Sequence, residues 1–249
     1  MDEAAAAKRI IGLLDLTSLE ENDTEAKIAA LCAKAATPFG NVAAVCVYGR
    51  FVAQCKSALD GTGIKVATVV NFPHGGTDVT AAAEEARTYV AAGADEIDTV
   101  LPYAAFAAGN VDVARALVAA CRAACNGKTL KVILETGTLT PDQIAAASRL
   151  ALEAGADFIK TSTGKRQPAA TPEAAKIMLE TIRNHGGGAF KAAGGVRTLE
   201  QAQGYVALAE GILGAGWATA AHFRIGASGL LDDLLGHLGG PTGAGKSAY

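Results

Sequence analysis

The chain has 249 residues, 50% of them hydrophobic and 19% charged, which is apolar material enough for a large core and excludes a disordered chain. A formal net charge of -3 and an isoelectric point near 5.8 give no basic field for a polyanion, so nucleic acid is not expected as a partner and small ligands are favoured. No apolar run approaches membrane-spanning length, and the first residues lack the basic-then-apolar order of a signal peptide, so a cytoplasmic protein with no membrane partner is expected.

Short β-branched runs alternate with longer alanine-rich amphipathic stretches, the pattern of βα units around a parallel sheet. The first predicted strand, Leu13–Thr17, carries Asp15 as a lone carboxylate in an apolar run, suited either to positioning a proton or a lysine or to a helix cap or loop. Val42–Tyr48 follows, with Cys46 between Val45 and Val47; no adjacent base is visible, so a core thiol is expected. Lys65–Phe72, Glu96–Leu101 and Leu130–Glu135 are the third to fifth strands, and Cys121 and Cys125 lie in an alanine-rich helical segment between the last two. With Cys32, Cys46 and Cys55 these make an odd, scattered set of five, read as reduced structural thiols. His74, His185, His222 and His237 form no metal-ligand spacing, and no metal or cofactor is expected.

Helix starts are legible in the second half. Thr140-Pro-Asp-Gln143 and Thr198-Leu-Glu-Gln201 read as capping boxes, and Thr171-Pro172 puts proline at a first helical position. The sixth to eighth strands are Asp157–Ser162, Ala189–Ala193 and His222–Gly226. The predicted architecture is a single α/β domain, a (β/α)8 or TIM barrel spanning residues 1–240, with a flexible Gly-rich tail over 241–249 that ends in Tyr249.

An internal echo singles out two ionisable residues. Ala92-Gly-Ala-Asp-Glu-Ile-Asp98 and Ala154-Gly-Ala-Asp-Phe-Ile-Lys160 each run from a helix-ending glycine into a strand, so Asp98 and Lys160 fall at equivalent places on alternate strands. Side chains from alternate strands share one interior layer of a closed barrel, which would bring both groups into one space. Period-two alternation puts Lys160 on the face of Phe158, an expensive place for an ammonium without an ion-pair partner. Lys191 repeats the apolar-then-lysine order on the next strand. Burial and mutual repulsion are expected to lower the proton affinity of both lysines, leaving an amine that can attack an aldehyde. Asp98 could move protons or simply neutralise a lysine.

Glycine clusters follow the last three strands: Ser162-Thr-Gly-Lys165, Gly194-Gly-Val-Arg197 and Gly226-Ala-Ser-Gly229. Such loops expose backbone N–H groups beside helix N-termini, and a phosphate site beside the seventh and eighth strands is a recurrent barrel feature. Gly240-Pro-Thr-Gly-Ala-Gly-Lys-Ser247 matches the phosphate-loop pattern of nucleotide-binding proteins, but that loop needs a following helix and only two residues remain; a nucleotide site is rejected.

Leu14-Asp-Leu-Thr17, Val45-Cys-Val-Tyr48, Asn71-Phe-Pro-His-Gly75, Gly93-Ala-Asp-Glu-Ile-Asp98, Phe158-Ile-Lys-Thr-Ser-Thr-Gly-Lys165, Gly194-Gly-Val-Arg197 and Gly226-Ala-Ser228 together resemble the deoxyribose-phosphate aldolase family, in order and over nearly the whole chain. The resemblance implies a class I aldolase that reversibly cleaves 2-deoxy-D-ribose 5-phosphate to acetaldehyde and D-glyceraldehyde 3-phosphate. It implies Lys160 as the Schiff-base lysine and Asp98 and Lys191 as proton-transfer partners. Family phosphate contacts map to Gly164-Lys165, Gly194-Gly195 and Ser228-Gly229, with Asp15, Thr17, Cys46, Thr163 and Gly226 as further substrate-facing candidates. Tyr249 is implied to fold back over the site, and a homodimer or tetramer is implied. Ala192 stands where the family commonly has proline and Gly229 where a second serine is common, changes that touch no proposed catalytic group. Three other readings stay open: a Schiff-base aldolase or transaldolase on a different sugar phosphate, a metal-free phosphosugar isomerase, and a non-catalytic phosphosugar-binding barrel.

Overall fold

The computed structural model describes residues 2–240. Eight parallel strands close into a barrel: β1 (Leu14–Thr17), β2 (Ala44–Val47), β3 (Lys65–Val70), β4 (Glu96–Val100), β5 (Thr129–Ile133), β6 (Phe158–Lys160), β7 (Ala189–Ala193) and β8 (Phe223–Ala227), with β8 pairing back onto β1. Around it run α1 (Glu3–Ile11), α2 (Glu25–Ala35), α3 (Val52–Ala58), α4 (Val79–Ala91), α5 (Tyr103–Ala107), α6 (Val111–Ala124), α7 (Pro141–Glu153), α8 (Pro172–His185), α9 (Leu199–Leu213) and α10 (Leu230–His237). The single-barrel expectation is borne out. Tyr249 and the rest of 241–249 lie outside the described residues.

All eight predicted strands are present, most of them trimmed at the ends. Asn71 and Glu135 both adopt positive φ, 56° each, which ends β3 and β5 before Phe72 and Glu135 can continue the ladder. Tyr48 leaves β2 to open a short 3₁₀ turn over Gly49–Phe51. Two elements were not expected. Helix α1 precedes the first strand and buries Ala6, Ala7, Ile10 and Ile11 against α9 and α10, and a two-stranded hairpin pairs Ala36–Thr37 with Gly40–Asn41.

Both expected capping boxes form, Thr140 with Gln143 and Thr198 with Gln201, and Thr171 caps α8 ahead of Pro172. These caps satisfy N–H groups that would otherwise lack partners and so fix where each strand-to-helix loop hands over.

Strict period-two alternation separates two environments. Outward residues such as Leu14, Val45, Val66, Ile97, Val132, Ile159, Phe190 and Ile225 are buried against the helices in one large apolar cluster. Inward positions are different. On β2 and β3 they are small or apolar, with Ala44, Cys46, Ala67 and Val69 forming a separate patch; Val100 and Ile133 form a second apolar patch with Tyr103, and Asp15, Glu96, Asp98, Lys131, Lys160, Lys191 and Arg224 supply a charged cluster between them. The barrel therefore packs oil on its outer wall and charge along its axis.

Candidate active site

The interior charges form one connected cluster. Nearest the N-terminal ends of the strands, Arg224 holds Glu96 with both terminal nitrogens, Nη2 to Oε1 at 2.9 Å and Nη1 to Oε2 at 3.2 Å, and donates from Nη1 to Asp15 Oδ1 at 2.6 Å. Lys131 Nζ donates to Glu96 Oε2 at 2.5 Å and to Asp98 Oδ1 at 2.8 Å. Above them Lys191 Nζ donates to Asp15 Oδ2 at 2.5 Å and to Asp98 Oδ2 at 2.8 Å. Lys160 Nζ reaches one carboxylate oxygen, the same Asp98 Oδ2, at 2.8 Å. Register explains the meeting of the two amines, because Lys160 and Lys191 are paired residues across β6 and β7.

Counting charge settles which amine is odd. Within the hydrogen-bonded cluster three carboxylates, Asp15, Glu96 and Asp98, face four cationic groups, Lys131, Lys160, Lys191 and Arg224; buried Glu135 lies outside it, bonded to Thr163. A surplus charge in a low-dielectric interior is costly, and the group with the fewest compensating partners loses its proton first. Lys160 is that group: Lys131 pairs with three carboxylates, Glu96, Asp98 and, at 3.7 Å, Asp15, and Lys191 with two, while Lys160 touches a single oxygen already shared with Lys191.

The proton affinities follow this arrangement. Burial, aided by the Lys191 charge and only partly opposed by Asp98, lowers the Lys160 amine below its ordinary value. For Lys191 burial acts in the same direction, but Asp15 and Asp98 outweigh it and hold the ammonium above its ordinary value. Lys131 is likewise held charged against burial by Asp98 and Glu96. Asp98 resists burial and stays well below the usual carboxylate range because Lys131, Lys160 and Lys191 surround it; Lys191 and Arg224 do the same for Asp15. The expectation that both lysines would lose proton affinity thus holds for Lys160 and fails for Lys191. The reason is Asp15, which reaches Lys191 across β8, a contact 176 residues apart in the chain.

Asp15 is an inward strand residue, so its cap or loop alternative falls away. Thr17 lies on the same face and donates its hydroxyl to the Asp15 carbonyl at 2.8 Å. Cys46 is fully buried on β2 in the apolar interior patch, and burial pushes its thiol up, away from the reactive thiolate. Gly226 sits within β8 rather than in the loop beyond it; a Cβ there would come within 3.0 Å of Lys191 Cε, so glycine makes room for that side chain.

The glycine loops converge at the C-terminal ends of β6 and β7. Gly164, Gly194 and Gly195 have φ of 80°, 84° and 89°, and a Cβ on Gly194 would lie 2.7 Å from Ala169 Cβ and 3.1 Å from Gly164 Cα. That approach needs glycine twice over, for conformation and for space. Thr163 is anchored from below, its hydroxyl donating to buried Glu135 at 2.5 Å and its N–H to the other Glu135 oxygen at 3.2 Å. Lys165 pairs with Glu20 at 3.6 Å across the rim, and Ser228 and Gly229 lead into α10, whose N-terminus carries no side-chain cap. A separate cavity of about 670 Å³ opens between α8 and α9, lined by Ala170, Pro172, Gly195, Val196 and Tyr205 among others; it holds no lysine and lies apart from the amine cluster.

The model of the DeoC/LacD family aldolases matches residues 9–233, which include every member of the interior cluster. The chain belongs to this aldolase family. The aldolase is 32% identical to a candidate deoxyribose-phosphate aldolase from Coccidioides immitis, with 92% of this chain and 85% of that one covered and a TM-score of 0.82. A candidate deoxyribose-phosphate aldolase from Toxoplasma gondii ME49 is 27% identical at a TM-score of 0.87, covering 94% and 96% of the two chains. The tetrameric deoxyribose phosphate aldolase of Aeropyrum pernix, at 22% identity, shares the fold with a TM-score of 0.75 over 94% of this chain and 95% of that one.

Three members of the aldolase's interior cluster escaped sequence reasoning: Glu96, Lys131 and Arg224. Each carried the signal that exposed Lys160, an ionisable residue in period with apolar neighbours on a strand, as in Leu130-Lys-Val132 and Phe223-Arg-Ile225. Among the described residues no helix is long and apolar enough to cross a membrane.

Proposed function

We propose that this aldolase reversibly cleaves 2-deoxy-D-ribose 5-phosphate to acetaldehyde and D-glyceraldehyde 3-phosphate through a Schiff base on Lys160. One observation carries the reading: of four buried cationic groups, Lys160 alone lacks a carboxylate oxygen of its own, so it is the amine that can be neutral and nucleophilic.

Lys160 Nζ attacks C1 of the open-chain sugar, and loss of the former carbonyl oxygen as water leaves an iminium. Lys191, held as an ammonium, supplies the proton that this departure needs. Ionised Asp98 orients the base, a water molecule held by Asp98 and Lys191 together, which takes the C3 hydroxyl proton. The C2–C3 bond then breaks with its electrons moving to C2, where the iminium receives them as an enamine, and D-glyceraldehyde 3-phosphate leaves. Protonation at C2 and hydrolysis release acetaldehyde and regenerate the amine. The phosphate is received by N–H groups of the Gly164-Lys165, Gly194-Gly195 and Ser228-Gly229 loops, with Lys165 drawn from Glu20 to the anion. Holding that end fixes C1 against Lys160. Tyr249 is the further proton-transfer candidate.

Incubation with 2-deoxy-D-ribose 5-phosphate and assay of both aldehyde products tests the substrate. Cleavage is expected for this sugar and not for D-ribose 5-phosphate; turnover of a different sugar phosphate alone would transfer the same chemistry to another substrate. A cytoplasmic setting fits the five cysteines, all free and buried. A homodimer or tetramer is proposed from the family resemblance, and light scattering of the purified protein tests it.

A further inference from the structure

We propose that Glu96, Lys131 and Arg224 form a buried ion-paired layer that fixes Lys160 from beneath as the single uncharged amine of the barrel interior, which makes them positioning residues for the Schiff-base step. The inference rests on the assignment of Lys160 as the nucleophile.

The layer works by rationing carboxylate oxygens. Arg224 takes both oxygens of Glu96 and one of Asp15, so only Asp15 Oδ2 remains for Lys191. Lys131 takes Asp98 Oδ1 and shares Glu96 Oε2, which leaves Asp98 Oδ2 to be divided between Lys160 and Lys191. Without Lys131, Asp98 Oδ1 would lose its partner, and the fuller carboxylate charge would favour the ammonium form of Lys160. Arg224 is itself held by the Ala220 carbonyl at 2.5 Å, and the aromatic face of Phe158 lies 5.7 Å from Arg224 and 5.9 Å from Lys131. Both cations are therefore locked from the side as well as by their carboxylates.

The interior facing Lys160 includes Asp15 from β1, Cys46 from β2, Glu96 and Asp98 from β4, Lys131 from β5, Lys191 from β7 and Arg224 from β8; β3 contributes only Ala67 and Val69. With Lys160 neutral the ionised groups number three of each sign, and with Lys160 protonated the cluster carries a surplus positive charge. Changing a charge in the lower layer must then change the proton affinity of Lys160, with a sign set by the charge removed.

The test measures the acid limb of kcat/KM against pH, together with the pH dependence of borohydride trapping on Lys160 in the presence of 2-deoxy-D-ribose 5-phosphate. Glu96→Gln leaves uncompensated positive charge and is expected to move both limbs to lower pH by about one unit. Lys131→Met removes positive charge and frees Asp98 Oδ1, and the limbs are expected to rise by about one unit. The double variant Glu96→Gln/Lys131→Met restores neutrality and should return both limbs to within about 0.3 unit of the parent. A merely structural role would lower activity in every variant and leave the limbs in place, which overturns the proposal. Should one single variant fail to fold, the other decides: limbs moved in the direction set by the charge it removes support the balance, and limbs left in place contradict it. An adduct on Lys160 with unmoved limbs sinks this inference alone, whereas no Lys160 adduct at any pH in the unaltered enzyme sinks the nucleophile assignment and this inference with it.

Discussion

Lys160 and Lys191 are the same residue type, both buried and hydrogen-bonded to the same Asp98 oxygen, yet their substitution should have very unequal effects on stability. Replacing Lys160 by Leu removes the surplus group and leaves three charges of each sign, so folding stability should stay within about 1 kcal/mol of the parent while cleavage is lost. Replacing Lys191 by Met strands Asp15 and Asp98 with one cation fewer, at a cost of about 3–5 kcal/mol. Urea unfolding of the two variants reads the difference directly. Linkage gives the same ordering. The native state holds Lys160 with lowered proton affinity, so stability rises with pH between that value and the ordinary 10.5, a dependence the Leu variant should lack. Asp98 is depressed below its ordinary 3.8, so its stabilisation is complete above that value and lost as pH falls toward the native-state value. Acid unfolding should therefore be steep below about pH 4 and shallower in Asp98→Asn. Asp98, Lys160 and Lys191 were legible because each breaks an apolar strand pattern beside a recognisable loop. The protonated state of Lys191 was not legible, since it depends on Asp15 at the far end of the chain.

The Gly-Ala-Asp echo proves to be a repeated joint. Gly93 and Gly155 end α4 and α7 at φ of 106° and 100°, and each lies against the stem of a cation from the preceding helical segment, Lys56 and Arg122. The following aspartates do the same work twice: Asp95 accepts from the Val66 N–H at 3.0 Å and pairs with Lys56, and Asp157 accepts from the Leu130 N–H at 2.7 Å and pairs with Arg122. Each joint clamps the start of one strand to its neighbour and so sets the register that aims Asp98 and Lys160 inward. Asp95 is 18% exposed at its side chain and Asp157 49%, so water screens the second joint more. Asp95→Ala should cost about 1–3 kcal/mol and Asp157→Ala less, by thermal or urea unfolding. Sequence showed the repeat and the helix starts, because caps and glycines are local signals. It hid α1 and the Ala36–Asn41 hairpin, whose places are set by packing against α9 and α10 and by a two-residue pairing too short to leave a periodicity.

For the molecule as a whole, closure of eight short strands does what no single element can: it gathers ionisable residues from six strands along one buried axis and leaves the amine with fewest partners near the C-terminal ends, where the glycine loops converge. The alternation of strand and helix patterns was enough to read this architecture. The charge balance inside it was not, because neutrality is a property of the assembled interior and no window of sequence contains it. The central claim is that one amine of that interior is the nucleophile. Borohydride reduction in the presence of 2-deoxy-D-ribose 5-phosphate, followed by proteolysis and mass mapping, tests it most directly: the account predicts one substrate-dependent adduct, on Lys160, and an adduct on Lys191 or Lys131, or none while cleavage proceeds, would contradict it.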